Sequence, residues 1–105
     1  MAVKIGMVAT FADVKADKTQ AVKILEESAE VFSAWENDNG CDGWGYCAKC
    51  KSAYNKCYEN RLLIDECADV IQAVCNLLAA LGVDDLTAVL DRCKQKNIER
   101  GREYE

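Results

Sequence analysis

Histidine and proline are both absent from this 105-residue chain. Without His, no imidazole can serve as general base or metal ligand, so any chemistry falls to carboxylates, Lys, Arg, Tyr, Cys or metal-bound water. Without Pro, and with glycines gathered in the middle at Gly40, Gly43 and Gly45, the chain favours helices joined by few turns over an all-β fold. No apolar run reaches the roughly 20 residues that span a bilayer. The opening M-A-V-K-I-G-M-V-A-T-F is too short and too weakly apolar for a signal peptide, so a cytoplasmic location is expected. Excess positive charge is missing as well. A formal net charge of −5 argues against a bulk nucleic-acid binder, though it leaves room for a small phosphate ligand bridged by a metal ion.

Half of the residues are apolar, which suits one folded domain over residues 1–105. Residues 18–36 read as a first helix, with Asp17 or Thr19 as its cap. Ala21, Leu25, Ala29 and Phe32 recur on it at helical spacing, with Val22 and Trp35 nearby, and this stripe is expected to face the core. Lys23, Glu27, Glu30 and Ala34 form a neighbouring stripe. Residues 37–50 break the pattern with turn-forming residues. They do not form an EF-hand: Asp38, Gly40, Asp42 and Gly43 imitate its start, but the twelfth position is Lys49 where a bidentate Glu is needed. Residues 53–81 read as a second helix, apolar at Leu62, Leu63, Cys67, Val70, Ile71, Val74, Leu77, Leu78 and Leu81. That breadth suggests burial on more than one side, in a bundle or at an oligomer interface. Gly82 marks its end. A third helix over roughly 85–100 is capped by Asp84 or Asp85, and its last turns are basic. Residues 1–17 read as a short helix or an extended arm.

The chemistry concentrates in two acidic sets, Glu26, Glu27 and Glu30 on the first helix and Asp65, Glu66 and Asp69 on the second. Residues three or four apart share a helix face, so two packed helices can bring four carboxylates together. Carboxylates held close repel one another and call for a cation. Mg²⁺ takes oxygen ligands and keeps waters, which suits attack on phosphorus. Acidic residues at this spacing are also common on solvated helix faces, so the pattern alone does not decide.

Three segments in order add weight: K-I-L-E-E-S-A-E-V-F-S-A, D-E-C-A-D-V-I-Q-A-V and K-Q-K-N-I-E-R-G-R. Together they resemble the MazG family of all-α nucleoside triphosphate pyrophosphohydrolases, over residues 19–36 and 61–102. The resemblance implies an antiparallel helical bundle that cleaves (d)NTP between the α and β phosphates to (d)NMP and pyrophosphate. It implies that Glu27, Glu30, Glu66 and Asp69 bind Mg²⁺, with Mn²⁺ as a substitute. It makes Glu26 a further catalytic carboxylate beside Glu27, supporting the metal or orienting water. It places Lys94, Asn97 and Arg100 at the phosphates, and it implies a homodimer or homotetramer. Asp65 stands where the family usually has Glu, and Lys23 is placed to pair with Glu27 at i,i+4.

Seven cysteines remain. Cys41, Cys47, Cys50 and Cys57 form C-x5-C-x2-C-x6-C inside the insert between the acidic helices, outside the resemblance. One C-x2-C knuckle suggests a structural Zn²⁺ site, and the alternative is a loop of free thiols. Trp44 or Tyr46 in this insert can be imagined against a nucleotide base, or packed on the helices. Cys67, Cys75 and Cys93 sit on apolar stripes and are expected to pack in the core. The competing function is a non-catalytic helical interaction module held by a Cys-bound metal.

Overall fold

The computed structural model describes residues 1–38 and 59–105. They form three α-helices and, among the described residues, no strand: α1 (Lys18–Asp38), α2 (Glu59–Ala80) and α3 (Thr87–Glu99). The Asp17 carboxylate accepts the Thr19 N–H at 3.0 Å and so caps α1. Ahead of α3, Asp85 Oδ1 accepts from the Thr87 hydroxyl at 2.7 Å and the Thr87 N–H at 2.9 Å. These two bonds, the hydroxyl's first, hold the Asp85 carboxyl below the usual range. Gly82 and Gly101, at φ 81° and 85°, supply the left-handed residue that ends α2 and α3. Each lets the next residue reach back: Val83 N–H to the Leu78 carbonyl and Arg102 N–H to the Asn97 carbonyl, both at 2.9 Å.

α1 packs against α2, and the face it uses corrects the expectation from sequence. The stripe turned inward is the acidic one: Glu27 and Ala34 are buried. The apolar stripe looks outward, with Leu25 71%, Phe32 63% and Trp35 59% exposed. On α2 the inward stripe runs through Glu66 and Asp69 to Ala73 and Asn76, the last two buried. The physical reason lies in side-chain size. Ala34 and Ala73 continue the two acidic stripes and allow close approach of the helices, whereas Leu25 and Phe32 on the opposite side of α1 stay free for another surface.

α3 packs on neither of the other helices among the described residues, and none of its residues is buried. Val89 and Leu90 are exposed with it. The cysteine expectation also needs correction. Cys67 and Cys93 are exposed and only Cys75 is half-buried, because Cys67 lies off the α1-facing stripe and Cys93 sits on the unpacked α3. Residues 1–17 form no helix; they run as an arm with a turn at residues 12–13, where Asp13 has φ 61°. No helix among the described residues is long and apolar enough to cross a membrane.

Candidate metal centre

Two helical turns supply the site. Glu27 and Glu30 are one turn apart on α1, and Glu66 and Asp69 one turn apart on α2, so each pair points from one helix face. Packing those faces together brings one carboxylate oxygen from each of the four residues within 4.8 Å of all the others. Among the described residues this is the only such group of Cys, Asp or Glu. These are the four residues that the family resemblance implied as metal ligands.

The electrostatics of the cluster are those of acid groups short of positive charge. Glu30 shares hydrogen bonds with Glu27 and Glu66. The bond and charge of Glu27 first, then burial, then Glu66, push the Glu30 carboxyl above the usual range. Glu27 moves the opposite way. The Lys23 ammonium at 3.0 Å, the leading cause, and the Glu30 hydrogen bond hold it below the usual range. Lys23 is raised in turn, chiefly by its bond to Glu27. The i,i+4 pair expected from sequence is therefore formed. One lysine does not neutralise four carboxyls.

The fit of a cation to this set rests on one further atom. Glu66 Oε2 is buried and has no hydrogen-bond partner. A buried carboxylate oxygen without a donor is costly, and a divalent cation would satisfy it. All-oxygen donors from four carboxyls are the chemistry that Mg²⁺ and Mn²⁺ prefer.

Other candidate residues lie outside the cluster. Glu26 is exposed and pairs loosely with Lys23 at 3.8 Å. Lys94 and Asn97 are on α3 and Arg100 is its C-cap, and among the described residues α3 packs on neither α1 nor α2. Asn97 Nδ2 donates to the Tyr104 hydroxyl at 3.0 Å, and Lys94 Nζ stands 5.2 Å from the centre of the Tyr104 ring. Cys41, Cys47, Cys50 and Cys57, with Trp44 and Tyr46, fall outside the described residues, so the expected Zn²⁺ site falls outside them too. Sequence reasoning left the arm without a role. Gln72 Nε2 donates to the Ala9 carbonyl at 2.8 Å, and Asn76 Oδ1 accepts the Phe11 N–H at 3.0 Å. The available signal was an Asn continuing the acidic stripe, where a solvated or apolar residue would otherwise be expected.

Residues 9–97 match the profile of the family described as phosphoribosyl-ATP pyrophosphohydrolase. No curated protein and no solved structure matches the chain. The profile covers the arm from Ala9, both acidic helices and most of α3, and it carries with it a pyrophosphohydrolase activity and an all-α fold. The chain thus belongs to the phosphoribosyl-ATP pyrophosphohydrolase family, a branch of the MazG-like all-α pyrophosphohydrolases.

Proposed function

We propose that this protein is a Mg²⁺-dependent pyrophosphohydrolase that cleaves a nucleoside triphosphate between its α and β phosphates, releasing pyrophosphate. One observation supports this above the rest: four carboxylates converge within 4.8 Å, on the two helices that the family profile spans. Glu27, Glu30, Glu66 and Asp69 would hold the cation. Bound there, the cation would neutralise phosphate charge and acidify water for attack on phosphorus.

The chain's own groups have distinct tasks in this reading. A cation held there would favour the ionised form of Glu30, whose carboxyl the neighbouring carboxyls push upward. Lys23 keeps Glu27 ionised. Glu26, one residue from Glu27, would support the metal site or orient the attacking water in this reading. Lys94, Asn97 and Arg100 would contact the phosphates once α3 docks over the site.

The same reading makes the protein a homo-oligomer. The outward stripe of α1 and the exposed faces of α3 leave too much apolar surface for a chain whose buried hydrophobic residues, among those described, are Ala34 and Ala73. A second copy supplies the missing cover in this account.

The substrate is addressed by one assay. Pyrophosphate release is measured with Mg²⁺ on a panel of NTPs, dNTPs and phosphoribosyl-ATP, the last because the family description names it. Glu30→Gln and Asp69→Asn are expected to abolish release while retaining helical content. Unchanged turnover in both variants would refute the assignment.

A further inference from the structure

Gln72 and Asn76 stand outside the acidic cluster, yet they continue along its side of α2. Asn76 is only 5% exposed, and burying an amide is costly unless it is bonded. Its Oδ1 accepts two hydrogen bonds, from the Phe11 N–H at 3.0 Å and from Gln72 Nε2 at 3.0 Å. Gln72 Nε2 also donates to the Ala9 carbonyl at 2.8 Å. The two side chains thus offer the backbone on either side of Thr10 one donor and one acceptor, as a neighbouring β-strand would. A buried amide is committed to holding the arm at this point of α2.

The place is specific. Asn76 lies seven residues after Asp69, two turns and about 10 Å along the same face. That is comparable to the reach of a nucleoside from its phosphates. At the anchored point the chain leaves a large apolar ring in the open, for Phe11 is 65% exposed. We propose that the pinned arm is the nucleobase wall of the site, with the Phe11 ring as the stacking surface and Gln72 and Asn76 as positioning residues. The proposal rests on the nucleotide reading above and names the part of the substrate that the metal cluster does not hold. Every base has a π-face, so stacking gives affinity for a nucleotide over a bare polyphosphate.

The test is calorimetric titration, in Mg²⁺, of the four α,β-methylene dNTPs against inorganic tripolyphosphate. The wild type should bind at least one nucleotide more tightly than tripolyphosphate. Phe11→Ala should weaken that nucleotide by roughly 5- to 150-fold and leave tripolyphosphate unchanged. Phe11→Trp should keep the preference. Asn76→Leu, which frees the arm, should lose it, whereas Asn76→Asp, which keeps the acceptor oxygen, should retain it. The proposal fails if the wild type shows no preference, if Phe11→Ala keeps it, or if Phe11→Ala shifts the sedimentation coefficient and so marks the ring as a subunit contact. Pyrophosphate release by the wild type is read separately. Phe11-dependent nucleotide binding without release would overturn the reaction and leave the base wall standing.

Discussion

On the homo-oligomer reading proposed above, truncating Phe32 to Ala should weaken self-association before it harms the α1–α2 pair. The ring lies on the outward stripe of α1 and is 63% exposed in the single chain. Fully burying such a side chain is worth about 1.5–3 kcal/mol, so the exposed fraction represents about 1–2 kcal/mol still to be gained. In a two-fold symmetric dimer each such contact occurs twice, which gives about 2–4 kcal/mol. That corresponds to a weakening of self-association by roughly 30- to 1,000-fold. Sedimentation velocity over a concentration series reads it directly. The variant should dissociate at concentrations where the wild type remains associated, and its helical content should be unchanged. Phe32→Leu should have a smaller effect. If Phe32→Ala associates as tightly as the wild type, the outward stripe is not the subunit interface and the argument from exposure is wrong.

Further consequences can be checked independently. Ala73→Leu forces extra volume into a position that is 5% exposed, and should cost about 1–3 kcal/mol. In metal-free protein, Glu30 has its folded pKa raised above the ordinary value of 4.5. Above pH 4.5 the folded state then holds more protons than the unfolded one, so this group's contribution to stability falls as pH rises through its folded pKa. Glu27 is lowered, so its contribution is lost only below pH 4.5, outside that window. Thermal melts of metal-free protein should therefore fall as pH rises above 4.5, Glu30→Gln should flatten that slope, and added Mg²⁺ should raise the neutral-pH melt of the wild type.

The acidic set was legible because two i,i+3 pairs need only helix and packing to meet, and Glu27, Glu30, Glu66 and Asp69 do meet. Two helix ends were legible for the same local reason, Asp17 capping α1 and Gly82 stopping α2, whereas the N-cap of α3 is Leu86, without a side-chain cap and one residue beyond the expected Asp85. The facing of α1 was not. Leu25, Ala29 and Phe32 carry the stronger apolar periodicity, but periodicity alone does not say which neighbour a face meets, and the carboxylate side of α1 met α2. The arm escaped because its anchor is two side chains on α2 bonding backbone at Ala9 and Phe11, more than 60 positions away, which leaves no local pattern. Lys94, Asn97 and Arg100 follow the resembled motif in order, yet among the described residues α3 packs on neither other helix, and motif order does not specify where a helix docks.

Manganese binding followed by electron paramagnetic resonance is the most direct measurement of the four-carboxylate centre. Wild-type protein should deplete the free Mn²⁺ signal in a saturable manner at neutral pH, with Mg²⁺ competing. Glu66→Gln, which replaces the buried oxygen that has no partner, should abolish that depletion. Equal Mn²⁺ binding by wild type and Glu66→Gln would contradict the account.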